Sequence, residues 1–238
     1  MKLDILAFGA HPDDVELGCG ATIAKEIALG KKVGIIDLTR GELGTRGSAE
    51  LRDKEAKAAA SILGVSVREN LAFADGFFVN NKVHQLEIVK MIRKYQPDIV
   101  LCNAIDDCHI DHPKGSQLVS DACFLSGLMK VSTLIGGKEQ EKWRPKQVYH
   151  YIQWKNITPD FVVDVTGFMD VKVAAVNAYS SQFFDPKSTE PETPISSKNF
   201  TNSIAYRAND LGRLIGVESA EGFTSERFVA VKSLDKLI

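Results

Sequence analysis

Two short stretches hold most of the side chains able to do chemistry. His11-Pro12-Asp13-Asp14 follows the first apolar run, and Asp107-Cys108-His109-Ile110-Asp111-His112 lies far along the chain; together they carry three of the five histidines. Neutral imidazole and carboxylate are ligands for a divalent metal, and catalytic zinc keeps three protein ligands with one position open for water. His11 and Asp14, three residues apart across a turn stiffened by Pro12, can reach one ion. A third ligand must come from the second stretch, as His109 or His112. Asp13 is left free to accept a proton from water that the metal activates.

Positioning these stretches is the work of the elements around them. The apolar runs "LDILAFGA", "KVGIIDLT", "ENLAFA" and "PDIVLCNA" read as strands. Between them lie helical patterns: Val15 to Leu29, closed by Gly30; "SAELRDKEAKAAASILG", with Ser48 as N-cap and Gly64 as stop; "KVHQLEIVKMIRKYQ"; and a fourth from about Pro113. Strands alternating with helices give a doubly wound, Rossmann-like α/β fold, a mainly parallel sheet with helices on both faces. In the usual central order 3-2-1-4 the first and fourth strands are neighbours, and ligands bind in the crevice at their carboxyl ends. Both chemical stretches follow those two strands, so the topology makes them face each other.

Residues 1–130 form this regular core, and 131–238 are a less regular part of the same single domain. There "KQVYHYIQW" and "DFVVDVT" read as strands, "FMDVKVAAVNAYSSQF" as a helix and "FDPKSTEPETPISSK" as a loop of lid length. A helix at "NSIAYRANDLGRLIG" and a last strand at "ERFVAVKSL" complete the reading.

Simpler explanations exist for single residues. Asp13 or Asp14 would suit the start of the first helix as a cap or a dipole partner. His84 and His150 sit in ordinary helix and strand patterns and are read as structural. A dinucleotide site is rejected: Gly18 and Gly20 lie inside the helix, whereas the turn that should hold the glycine fingerprint is Gly9-Ala10-His11-Pro12-Asp13-Asp14. The two glycines instead suit close helix–sheet packing. A net charge of −2 gives no reason to expect nucleic acid or a membrane as partner. No apolar run approaches the roughly 18 residues of a span. The four cysteines have no metal or disulfide spacing and read as reduced thiols of a cytoplasmic protein, with Cys19 and Cys108 inside the chemical segments.

"AHPDDVE" with "HIDH" resembles the zinc-dependent N-acetylglucosaminyl deacetylases of the LmbE/PIG-L type over nearly the whole chain. "TRGELGTRGSAELRDKEAKAAASILGV", "VNAYSSQF" and "GVESAEGFTSERF" are similar to the branch that deacetylates N-acetylglucosaminyl-malate in bacillithiol biosynthesis. The resemblance implies zinc on His11, Asp14 and His112, with Fe(II) as the other metal such ligands suit. It implies Asp13 as general base and His109 as the group that stabilises the oxyanion or protonates the leaving amine, oriented or charged by Asp111. Arg52 and Asp75 match positions that hold substrate, a small sugar conjugate, and the assembly implied is a homo-oligomer, often a hexamer. Some relatives carry a tyrosine where this chain has Asp107, so no tyrosine role is carried over. Arg46, Arg52 and Arg207 are the candidates to meet malate carboxylates, with Arg52 best placed near the start of the helix after the second strand. The simpler readings are surface arginines for Arg46 and Arg207, and for Arg52 an exposed pair along its own helix with Asp53 or Glu55. The rival readings are a deacetylase or amidase for chitobiose-like sugars or thiol conjugates, and a non-catalytic sugar- or nucleotide-binding module.

Overall fold

The computed structural model describes residues 1–233. The chain runs β1 (Ile5–Gly9), α1 (Asp14–Ala28), β2 (Val33–Thr39), α2 (Ala49–Leu63), β3 (Val67–Phe73), α3 (Lys82–Tyr95), β4 (Ile99–Cys102) and α4 (Asp111–Ser126). A small hairpin, β5 (Leu134–Ile135) and β6 (Lys138–Glu139), precedes β7 (Gln147–Tyr151), β8 (Phe161–Asp164), α5 (Met169–Asn177), α6 (Lys198–Ile215) and β9 (Ala220–Ser225). Seven strands form one sheet in the order β3-β2-β1-β4-β7-β9-β8. The first five in that order are parallel, while β9 runs antiparallel to both β7 and β8. The expected central order 3-2-1-4 is present.

The sheet is covered on both faces, which is why β1 and β2 are apolar without alternation. On one face Leu6, Phe8, Ile36 and Leu38 pack on Ile88, Val89 and Ile92 of α3 and on Leu118 and Val119 of α4. On the other, Ile5, Ala7, Val33 and Ile35 meet Val15 and Ile23 of α1, Ala59 and Leu63 of α2, and Val176 of α5. Caps end these helices as their sequences direct. Ser48 accepts from the Leu51 N–H, and Gly64 takes the left-handed conformation at φ 77°.

Three features differ from the sequence reading. The helix expected over 168–183 ends at Asn177. The hairpin β5–β6 carries no pattern that announces it. The last strand is Ala220–Ser225, not "ERFVAVKSL" (226–234), of which Leu234 lies outside the described residues. The described apolar residues of that segment, 228–231, do not enter the core: Phe228 is 102% exposed, whereas Phe223 in β9 is buried. Among the described residues no helix is long and apolar enough to cross a membrane.

Candidate active site

The loop leaving β1 turns sharply at Asp13, whose φ of 123° is a strained value for a residue other than glycine. Its neighbours over-determine it. Arg52, from the first turn of α2, donates through Nη1 to the Pro12 carbonyl at 3.2 Å and lies 3.4 Å from Asp13 Oδ2. Asp14 N–H donates to the His11 carbonyl at 3.3 Å. Gly41, at φ 65°, lets Arg52 reach this turn, because a Cβ there would come within 2.9 Å of Nη1. Neither acid serves as an ordinary helix cap: Asp13 makes no capping bond, and Asp14 Oδ2 accepts from the His11 N–H at 2.9 Å. Burial pushes the Asp13 carboxyl up to about 7, with the Arg52 charge pulling the other way.

The second stretch lies across the crevice, and Asp111 and His112 form the first turn of α4. His112 Nε2 is 3.2 Å from Asp14 Oδ1, and His11 Nδ1 is 3.6 Å from Asp14 Oδ2. Ligand bonds of about 2.0–2.1 Å around a tetrahedral zinc place donor atoms about 3.3 Å apart. Asp14 is thus near ligand spacing from both histidines, through a different carboxylate oxygen to each. Each imidazole also turns its other nitrogen to a carboxylate, the arrangement that orients metal-bound histidines. His112 Nδ1 is 3.0 Å from Asp107, and His11 Nε2 is 3.0 Å from Asp75 and 3.5 Å from Asp111. Burial works against protonating these rings, yet the carboxylates prevail and raise both, His112 to about 9. A place where four carboxylates draw positive charge onto two imidazoles suits a divalent cation. His109 stands beside them, its ring 4.6 Å from that of His11 and 5.0 Å from that of His112. Two donor groups have atoms that all lie within 4.8 Å of one another, His11 with His109 and His112, and His11 with Asp75 and Asp111. The carboxylates of the latter also accept hydrogen bonds, Asp75 from Leu43 N–H and Asp111 from Gly76 N–H and Lys114.

The expected partners of some residues change here. Asp111 does not turn its carboxylate to His109. Its backbone N–H donates to His109 Nδ1 at 3.2 Å, leaving Nε2 as the ring's hydrogen-bearing atom. Asp75 holds His11 rather than standing free for sugar hydroxyls. Arg52 lines the cavity, but its guanidinium is bound to the Pro12–Asp13 turn instead of pairing along its own helix. Arg46 is buried and occupied by the Phe183 carbonyl and Ser188 Oγ, so it is removed as a carboxylate reader. His84 folds back on the Val79 carbonyl, away from the cluster. His150 is buried between Ser116 Oγ at 2.8 Å and Glu226 at 3.2 Å.

Around this centre lies a cavity of about 570 Å³ that runs from the histidines past Gly18 to α6. The loop over 184–198 contributes Thr193, Pro194 and Ile195 to its wall. It is clasped to the loop before α2 by Arg46 and by Glu190, which accepts from Gly47 N–H at 3.0 Å.

Several residues that build the site carry no obvious mark in the sequence. Asp107 accepts from His112 and from the N–H groups of Trp154 and Lys155. Asn103 and Gln153 each donate to the Asp14 carboxylate, at 2.9 and 2.7 Å. Both end strand runs, and a polar amide there is the signal that could have found them. Glu221 had no such signal. Helix α1 breaks at Cys19 (φ −145°, ψ 23°), and the freed N–H groups of Ala21 and Thr22 donate to Glu221, itself paired with the buried Lys172 at 2.6 Å. Gly18, one residue before the break, lets α1 approach β7, since a Cβ would sit 2.1 Å from the Tyr151 ring.

A doubly wound sheet with a His/Asp cluster at its switch point, a buried carboxylate beside it and an adjoining cavity defines a metal-dependent hydrolase. The chain matches the family PIG-L, GlcNAc-PI de-N-acetylase, over residues 6–123. It is 32% identical over 191 residues to the diacetylchitobiose deacetylase of Thermococcus kodakarensis, covering 75% of this chain and 70% of that protein. The chain belongs to the PIG-L/LmbE deacetylase family. The crystal structure of a conserved protein from Thermus thermophilus superposes with a TM-score of 0.86 at 35% identity, covering 98% of each chain. The 4-oxalmesaconate hydratase of Pseudomonas putida is 27% identical over 193 residues, covering 74% of this chain and 73% of that protein.

Proposed function

We propose that the protein hydrolyses the N-acetyl group of an N-acetylglucosamine conjugate, giving the free amine and acetate. The observation that carries this reading is the site itself: three metal-fitting donors beside a buried carboxylate that burial has raised to about 7. His11, Asp14 and His112 would hold the cation, zinc or Fe(II), and it supplies Lewis-acid polarisation of the amide carbonyl and acidification of water. Asp13 takes the proton of the attacking water, and Arg52 holds it in the strained turn where it can do so. His109 donates a hydrogen bond from Nε2–H to the developing oxyanion, and Asp13 passes the proton it took from water to the departing amine. Asp75, Asp107 and Asp111 orient the histidines. A hydratase, as the Pseudomonas relative is, needs a conjugated acid as substrate rather than an amide, and the assay separates the two by acetate release.

For the aglycone, the sequence resemblance supports malate, in bacillithiol biosynthesis. The Thermococcus relative's name supports a second sugar instead. The deciding experiment measures acetate from N-acetylglucosaminyl-malate, N,N'-diacetylchitobiose and free N-acetylglucosamine with zinc-loaded enzyme. Preference for the malate conjugate is expected. Faster turnover of diacetylchitobiose would replace malate with a sugar, and acetate from none of the three would sink the deacetylase reading.

A further inference from the structure

Three side-chain cations other than histidine line the cavity: Arg52, Lys172 and Arg207. Two are already matched. Arg52 faces Asp13 at 3.4 Å, and Lys172 faces Glu221 at 2.6 Å. Arg207, on α6, forms no ion pair among the described residues. Of its five N–H donors, Nη2 is bound, to the Trp154 carbonyl at 2.6 Å. The opposing charge that acts on it is Asp107, whose carboxylate is taken up by His112 and by the N–H groups of Cys108, Trp154 and Lys155. The wall that α6, the loop before it and Trp154 give the cavity is mostly apolar, with Ile195, Phe200, Ile204 and Leu211, and Thr193 and Ser203 as its other polar members.

A guanidinium kept partly out of water without a counter-ion is unfavourable in the empty protein. It becomes favourable when a ligand brings the missing charge, and the planar fork of arginine matches a carboxylate with two parallel hydrogen bonds. The apolar wall strengthens such a contact by excluding water. We propose that Arg207 selects the distal group of the substrate, and that this group is a carboxylate. The proposal rests on the deacetylase reading above and transfers to Arg207 the task for which the sequence alone favours Arg52. Trp154 is the fixed point: its carbonyl holds the guanidinium and its indole stacks on Phe200, with ring centroids 5.0 Å apart.

The test compares kcat/KM for acetate release from N-acetylglucosaminyl-malate, its dimethyl ester, N-acetylglucosamine 1-phosphate and the methyl glycoside, in wild type, Arg207→Gln and Arg207→Lys. Wild type is expected to favour the malate conjugate over its dimethyl ester by about 10- to 100-fold, the size of a lost charged hydrogen-bonded contact. Arg207→Gln should collapse that ratio, and Arg207→Lys, which keeps charge without the fork, should fall between. Free L-malate should inhibit wild type competitively and the Gln variant more weakly. An unchanged ratio in Arg207→Gln overturns the proposal, as does equal loss on all substrates, which would make Arg207 a support for Trp154. A preference for the phosphate that vanishes in the Gln variant would overturn the carboxylate. Acetate from neutral substrates with no preference for an anion would sink this proposal alone. Silence on every substrate would sink the deacetylase reading and this proposal with it.

Discussion

Arg52→Ala separates two roles that the sequence leaves entangled. In the structure both Arg52 and Asp13 side chains are 7% exposed, and the guanidinium is the counter-charge to a carboxylate that also faces Asp14 and Glu16. Removing one partner of a buried pair costs ~3–5 kcal/mol when the other stays charged. Asp13 has a cheaper way out: its carboxyl is already raised to about 7 by burial, so without Arg52 it takes up a proton at neutral pH. The stability loss is then closer to that of charged hydrogen bonds, ~1.5–3 kcal/mol. For a chain of this size each kcal/mol moves Tm by roughly 2–4 °C, which gives a fall of roughly 3–12 °C. A protonated Asp13 cannot accept the water proton, so kcat should fall by about 10²–10⁴-fold, the usual contribution of a general base. An acid with a raised pKa works only as its deprotonated form, so activity should recover partly as pH is raised. Steady-state kinetics on zinc-loaded enzyme, with metal content measured, provides the readout. A raised KM with unchanged kcat would refute the reasoning and return Arg52 to substrate binding.

Three further substitutions probe the scaffold. Asp107→Ala removes the acceptor of His112 Nδ1 and should weaken metal binding by about 10–100-fold in a chelator competition; unaltered affinity would leave Asp107 as a loop anchor. Lys172→Met strands Glu221 beside the break in α1, so a stability loss of ~3–5 kcal/mol in urea unfolding is expected, and a near-neutral effect would mean that the Ala21 and Thr22 N–H groups suffice for that carboxylate. Gly18→Ala drives a methyl into the Tyr151 ring and should cost ~1–3 kcal/mol by the same measurement; full stability would show that α1 can slide.

The first half of the chain is legible because each local signal agrees with its tertiary use. "VGIIDLT" is buried along its whole length, and Ser48 stands where a helix must begin and does accept from the Leu51 N–H. The second half breaks that agreement at β9. Ala-Glu-Gly-Phe-Thr-Ser reads poorly as a strand because Glu221 interrupts it, yet Glu221 is buried to satisfy the N–H groups that the break at Cys19 sets free. "RFVAV" just after it reads well and forms no strand. A residue placed to repair another element's backbone cannot announce itself in its own segment.

The same asymmetry governs the site. Candidate donors are written locally, since imidazole and carboxylate at a switch-point loop have few other uses, and the two stretches do meet, with Asp14 close to both His11 and His112. Pairing is written nowhere locally. Asp53 and Glu55 flank Arg52 and make an exposed intrahelical pair the economical guess, but Asp53 goes to Arg40 and Glu55 to Ser181. With its neighbours engaged elsewhere, Arg52 is free to turn inward to Asp13. Asp107 shows the converse. As an ionised group it accepts hydrogen bonds and donates none, which disqualifies it from replacing a tyrosine at an oxyanion. That property is what the Nδ1–H of His112 requires of a partner, and Asp107 lies 3.0 Å from it, so a residue unsuited to the tyrosine's task serves here to orient an imidazole.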